Sequence, residues 1–546
     1  MSAIRVMGAE TEYGIHAPGA PQLNASWLST QVVNAYSRHT SHRAAAGGET
    51  RWDYTDEDPL ADARGWSMPR AAAHPSQLTD VDPAINTEVT AAQIALEGGQ
   101  TGDPTAPLMM NMVLGNGARL YVDHAHPEYS SPEVTNPLDA VRWDAAGDLV
   151  ALAAVRRIAA TAGMPAINLY KNNTDNKAVS YGSHENYLMP RSVPFKNIVA
   201  GLTPFFVTRA IMCGAGRVGR GQDGGGAGFQ ISQRADFFEA EVGLETTVRR
   251  PIINTRDEPH AVHDKYRRLH VIIGDANLAQ VSNFLKFGTT ALVLDMIEHG
   301  TAPELAFADP VATLRDVSHD WRLQRQHLLA DGSQISALEV QWLYLNAAKA
   351  HVRTRGAAGS SDAHTPAVLA KWEEILTGLA QDPMSLAQQL EWVAKLQLLE
   401  GYRARDAMEW DDPRLGLIDL QWSDVRPEKG LYYKLLQHGR MTRLVSDASI
   451  AAAVQNPPAD TRAYFRGRCI QKFGSAVVGA SWDSVIFEVP EQRRLRRIPT
   501  KEPLRGTQAL TGGLFDESPT LDVFLTALLA GGGRSAAAAP NGDAGH

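Results

Sequence analysis

The stretch Gly117–Glu133, G-A-R-L-Y-V-D-H-A-H-P-E-Y-S-S-P-E, concentrates groups able to bind phosphate, hold a metal and attack an acyl carbon. Ala118–Asp123 reads as a strand, and side chains alternate faces along a strand. Leu120 and Val122 then point one way, and Arg119, Tyr121 and Asp123 the other. The polar face carries a cation, a phenol and a carboxylate in a row, with Glu128 and Glu133 in the next segment. A second cluster sits near the start. Ile4–Gly14, I-R-V-M-G-A-E-T-E-Y-G, begins as a strand and puts Glu10 and Glu12 on one face. Carboxylate oxygens are hard ligands that suit Mg²⁺ beside nucleotide phosphates. Either segment alone reads equally as an edge strand with solvated carboxylates. Together they favour a metal–nucleotide site.

Several elements must position these residues. Ser26–His39 has helical spacing. Asn136-Pro137 reads as a cap followed by a first-turn proline, opening a helix to about Ala162. Ala166–Lys171, Ser183–Met189, Phe229–Ser232, Phe237–Val242, Leu269–Gly274 and Trp482–Val489 read as strands; Phe195–Met212 and Leu278–Glu298 read as helices. From about Pro310 to Glu400 the pattern is mainly helical. Between the two site-bearing strands, Thr40–Ala106 is rich in Gly, Pro and small polar residues. It is expected to stay outside the packed core, as a mobile gate near the site. Gly531–His546, Gly- and Ala-rich, is expected to be a disordered tail. No internal repeat is found.

Composition sets outer limits. The chain has 546 residues, 44% of them hydrophobic, enough for a large core. Its 52 Lys and Arg against 61 Asp and Glu give a net charge of −9, which argues against general nucleic-acid binding. The two cysteines, Cys213 and Cys469, read as thiols in a reducing cytoplasm. No signal peptide or membrane-length apolar run is read, so a soluble cytoplasmic protein is expected.

Three other patterns carry ordinary alternatives. His184-Glu185 begins an H-E-x-x pattern, but Leu188 stands where a zinc protease needs histidine, and a strand with outward polar residues explains it as well. Gly214–Gly228 is glycine-rich, yet no G-K-[ST] follows, so a surface loop is favoured over a phosphate cradle. His270 faces away from Leu269, Val271 and Ile273 along a strand, which alone suggests a structural histidine.

Four long motifs occur in order: G-A-E-T-E-Y-G-I (Gly8–Ile15), R-L-Y-V-D-H-A-H-P-E-Y-S-S-P-E (Arg119–Glu133), Y-G-S-H-E-N-Y-L-M (Tyr181–Met189) and R-R-L-H-V-I-I-G-D-A-N (Arg267–Asn277). The chain resembles, from about Ile4 to Gly506, the Dop family of deamidases and depupylases of the prokaryotic ubiquitin-like protein Pup. The sister family is the Pup ligase PafA, and both resemble the glutamine synthetase superfamily. The resemblance implies an α+β fold with a glutamine synthetase-like antiparallel β-sheet cradle flanked by helices. Residues 1–430 would form the catalytic domain, with 40–106 as the family's loop insertion, and 431–510 a small C-terminal domain. Ala84–Gly98 looks like material added to that loop.

The resemblance also assigns roles. Asp123 matches the catalytic aspartate. Glu10, Tyr121 and Glu128 match metal positions, and His184 falls near the metal–phosphate region. Arg119 and Ser131 match nucleotide contacts, with Ser131 standing where the ligase pattern has Thr. Arg234 resembles an arginine near nucleotide and substrate carboxylate, and His270 a residue of the catalytic cradle. Trp482 is either an adenine-stacking ring or a core aromatic. Implied cofactors are ATP and Mg²⁺. Implied partners are Pup and pupylated proteins, with the proteasomal ATPase left open. The implied reaction is hydrolysis of the Pup C-terminal glutamine amide and of the Pup–lysine isopeptide bond. Rivals are the Pup ligase, whose pattern resembles L-D-x-x-S-H-P-E-Y, and an inactive Pup-binding adaptor.

Overall fold

The computed structural model describes residues 3–41, 50–80, 109–175, 179–219, 227–355, 362–489 and 494–534. Ten strands form one sheet. In spatial order they are Tyr266–Val271, Ser183–Pro190, Met7–Glu12, His126–Ser130, Arg119–Asp123, Asn111–Val113, Arg51–Trp52, Val477–Ala480, Ser484–Val489 and Arg494–Pro499. Every pairing in it is antiparallel except that between Arg51–Trp52 and Val477–Ala480. The expected antiparallel cradle therefore carries one parallel seam.

Period-two alternation sorts the two faces. Met7 and Ala9, Tyr187 and Met189, and Leu269 and Val271 enter the main core, while Leu120 and Val122 enter a second cluster with helix Ala25–Ser41. Helices Pro137–Ala159, Phe195–Cys213 and Gln280–Glu298 cover the back of the sheet. Residues 280–297 are all buried, so that helix needs no polar face. Asn136 accepts from the Asp139 amide and Pro137 fills the first turn, as the capping signal indicates. Charged groups buried behind the sheet include close ion pairs: Lys171 lies 2.8 Å from Asp144 and 3.1 Å from Asp148, and Arg209 lies 2.7 Å from Glu185.

Two expectations are corrected. Residues 51–52 are a sheet strand and 53–62 line or support the cavity, so this part of the 40–106 segment is packed structure. The reason is non-local: the Thr50 carbonyl accepts from Val113 and the Asp53 amide donates to Ala480. Ala84–Gly98 lies outside the described residues. Helix Leu521–Arg534 runs through the first four residues of the expected disordered tail; residues 535–546 lie outside the described residues.

Near the C-terminus, Phe465, Phe487, Phe515 and Phe524 centre a small core of their own. Ile450 and Ala453, beyond the boundary expected at 430, belong to the main core. Glu133 joins the small unit to the sheet through Arg462 at 2.7 Å and through Arg466. No described helix is long and apolar enough to cross a membrane.

Candidate active site

The polar face of the sheet floors a cavity of about 620 Å³. Strand register builds it row by row. Tyr121 pairs with Glu128 and Glu128 with Glu12; Arg119 pairs with Ser130, Ser130 with Glu10, and Glu10 with His184. Asn186 pairs with His270. Residues from five strands thereby share one face. The cavity is lined by Glu10, Arg119, Tyr121, Asp123, Glu128, His184, His270 and Trp482, so eight of the ten expected site residues converge there.

Asp123 ends its strand at the mouth of the cavity. Burial works against its charge, but the His124 ring, 3.0 Å away, with His184 and Arg119 farther off, holds the carboxyl below its ordinary value. Glu10 is bound from two sides, by Asn186 Nδ2 at 2.9 Å and His184 Nδ1 at 3.1 Å. Burial opposes its ionisation; the His184 hydrogen bond, His270 and Arg268 outweigh it and keep Glu10 well below the usual range. Glu128 goes the other way. Burial and repulsion from Asp123, Glu10 and Glu12 push it well above the usual range, and its Oε1 is buried without a hydrogen-bond partner.

Burial, reinforced by Arg268, keeps His270 neutral. Its Nδ1 lies 3.1 Å from Asn186 Oδ1 and 3.3 Å from the Arg268 guanidinium, while its Nε2 is buried without a partner. Donor atoms of Glu10, His184 and His270 lie within 4.8 Å of one another. An orphaned carboxylate oxygen, an orphaned imidazole nitrogen and mutually repelling carboxylates are what a bound dication would satisfy. Donor atoms of Glu12, Asp123 and Glu128 form a second such group, and the carboxylate oxygens of Glu10 and Glu128 are hard ligands of the kind that suit Mg²⁺, with the Tyr121 phenol on the same cavity wall.

Arg119 occupies the opposite wall. Its guanidinium sits 3.9 Å from the ring centroids of both Trp52 and Tyr121, and its Nε donates to Asn111 Oδ1 at 2.9 Å. Trp52 in turn donates Nε1 to Glu57 at 2.8 Å and meets Trp482 edge-on at 5.2 Å. Glu57 and Glu258 share this end of the cavity. Burial and the Glu258 charge raise Glu57 to about 8, whereas Glu258, despite burial, is held at about 2 by His260, Arg256 and Arg268.

Two expected residues lie elsewhere. Ser131 is buried: its Oγ accepts from the Ala9 amide at 2.9 Å, and it faces a smaller adjoining cavity of about 70 Å³ that Trp482 also lines. Arg234 is corrected. It is 1% exposed, absent from the cavity wall, and donates to the carbonyls of Ile272 and Gly274 behind it. Sequence reasoning missed Trp52, Glu57 and Arg268, and the charge of Arg256-Asp257-Glu258 beside the His270 strand carries no separable role in the sequence. Arg268 was within reach, because it shares a strand face with His270 two residues on.

Sheet, cavity and paired carboxylates together are those of the Pup-ligase class of α+β enzymes. The chain belongs to the Pup-ligase protein family, which it matches over residues 5–486. It is 54% identical over 528 residues to a depupylase of Acidothermus cellulolyticus, covering 96% of this chain and 99% of that one. It is 51% identical over 517 residues to the Pup deamidase/depupylase of Mycolicibacterium smegmatis, covering 94% and 97%. Among solved structures, the Pup ligase PafA in complex with ADP superposes with a TM-score of 0.67 at 33% identity, over 82% of this chain and 98% of that one.

Proposed function

We propose that this chain is an amidohydrolase of Pup: it converts the C-terminal glutamine of Pup to glutamate and cleaves the isopeptide bond between Pup and a substrate lysine. The two reactions are the same amide hydrolysis with different leaving amines. The observation that carries the reading is Asp123, ionised and open to the cavity, in a chain 54% identical to a depupylase. The V-D-H-A-H-P-E-Y motif and the lower identity to the ligase structure favour hydrolase over ligase.

Nucleotide belongs at the Arg119–Trp482 end, where a half-buried guanidinium and an indole suit phosphate and base. Glu10, Tyr121 and Glu128 would hold Mg²⁺, which would supply positive charge to phosphate and to a developing oxyanion. Asp123 serves in one of two ways, as the nucleophile that forms an acyl–aspartate anhydride or as the base that deprotonates water. Label found in Asp123 after single-turnover hydrolysis in H₂¹⁸O would establish the covalent route, since general-base catalysis leaves Asp123 unlabelled.

The deciding experiment is incubation with a Pup–protein conjugate, ATP and Mg²⁺. Release of free Pup and intact protein is expected, and Asp123→Asn should lower the rate at least about a thousandfold in a folded protein. New conjugates formed from glutamate-ended Pup, with no release, would make the chain a ligase.

A further inference from the structure

Amide hydrolysis needs a proton for the departing nitrogen, because an alkylamide anion is too basic to leave. The strand pair Arg119–Asp123 and His126–Ser130 is closed by a two-residue turn, His124-Ala125, since Asp123 pairs with His126. His124 has φ 52°, the left-handed region that non-glycine residues rarely adopt. The turn is pinned there by helix Ala25–Ser41: Ser26 Oγ donates to the His124 carbonyl at 3.2 Å and Ser29 Oγ to the Ala125 carbonyl at 2.8 Å. This backbone sets the imidazole on the cavity wall with Nδ1 3.0 Å from Asp123 Oδ1 and its side chain 36% exposed. Backbone strain retained beside a reactive carboxylate marks function when neighbouring bonds enforce it.

Resting on the amidohydrolase reading above, we infer that His124 is the general acid that protonates the leaving amine. The step balances in either role of Asp123. The carbonyl carbon gains a bond to oxygen, from Asp123 or from water, and the carbon–nitrogen bond breaks as the nitrogen takes the proton of the His124 imidazolium. The neutral imidazole recovers a proton from the water consumed, directly or across its 3.0 Å contact with Asp123. The products are carboxylic acid and amine.

The test compares two leaving groups. One substrate is a Pup–protein conjugate, whose alkylamine must be protonated. The other is Pup bearing an aminocoumarin anilide on its C-terminal γ-carboxyl, whose weakly basic amine departs without full protonation. His124→Asn tolerates a left-handed φ and can still donate a hydrogen bond to Asp123, but delivers no proton. The conjugate rate should fall about a hundredfold or more, and by at least about thirtyfold more than the anilide rate. His124→Gly, which relaxes the turn, should show the same selectivity and guards against misfolding of the first variant. Equal losses on both substrates would make His124 a positioning residue for Asp123 and overturn the inference; so would wild-type rates on both. Failure of the wild-type enzyme to cleave either substrate would overturn the functional reading and the inference with it.

Discussion

Replacing Trp52 by alanine strips one of the two aromatic faces from the Arg119 guanidinium. The rings of Trp52 and Tyr121 each lie 3.9 Å from it, and a desolvated cation–π contact contributes roughly 1–2 kcal/mol. The guanidinium keeps its bond to Asn111 but loses its backing, so nucleotide affinity should fall roughly five- to thirtyfold. Trp52 is also 5% exposed and packs on Val113 and Ala480, so alanine should cost about 3–5 kcal/mol of stability as well. Trp52→Phe separates the two effects. It keeps a ring and much of the packing, loses the Nε1 bond to Glu57, and should weaken nucleotide binding only about two- to fivefold. Calorimetric titration with ATP and Mg²⁺ reads the affinity, and thermal melts read the fold. In an Arg119→Ala background, Trp52→Ala should add no further loss of affinity. Full additivity of the two substitutions, or a Trp52→Ala protein that binds like wild type while Arg119→Ala does not, would refute the coupling.

Glu128→Gln replaces an ionisable carboxyl whose oxygen lacks a partner with a neutral amide, and should raise the Mg²⁺ concentration needed for half-maximal activity about tenfold or more; an unchanged requirement places the metal elsewhere. Glu133 lies between Arg462 and Arg466, which outweigh burial and lower it to about 2, against an ordinary 4.5. A depressed carboxyl stabilises the fold fully above the unfolded value and loses that contribution as pH falls from 4.5 towards 2; the gap corresponds to about 3 kcal/mol at neutral pH. Denaturant titrations of Glu133→Gln should therefore show a loss of that order at pH 7 and little at pH 2. Glu57 has the opposite sign: raised by burial and Glu258 to about 8, it stabilises residues 51–62 fully below pH 4.5 and loses that contribution as pH rises through 8. Hydrogen exchange there, corrected for intrinsic rate, should accelerate as pH rises from about 5 to 8 and level off above, and Glu57→Gln should abolish the pH dependence.

The row Arg119, Tyr121, Asp123 was legible because a period of two fixes which side chains share a face, whatever the tertiary structure. Asn136-Pro137 was legible for a similar reason, since capping is settled within four residues. Long buried helices such as Gln280–Glu298 showed in their apolar runs. Trp52 was not legible. A two-residue strand has no periodicity, and what makes it a strand is pairing with residues about 60 and more than 400 positions away. Arg234 misled because residue type says nothing about whether a guanidinium meets a ligand or the main-chain carbonyls behind it. Arg494–Pro499 pairs residue by residue with Ser484–Val489 as the edge of the sheet, a partner that its exposed and half-exposed arginine-rich pattern does not reveal.

The parallel seam has a consequence for biosynthesis. Strands Met7–Glu12 to Ser183–Pro190 emerge from the ribosome early, but Arg51–Trp52 must wait for Val477–Ala480 to complete its pairing. Until then Arg119 has Tyr121 on one side and an unfastened Trp52 on the other, and Trp482 is not yet made. The carboxylate half of the cavity can thus form on a nascent chain well before the guanidinium half is assembled. A prematurely terminated product would fold much of the sheet and remain unable to close its nucleotide wall.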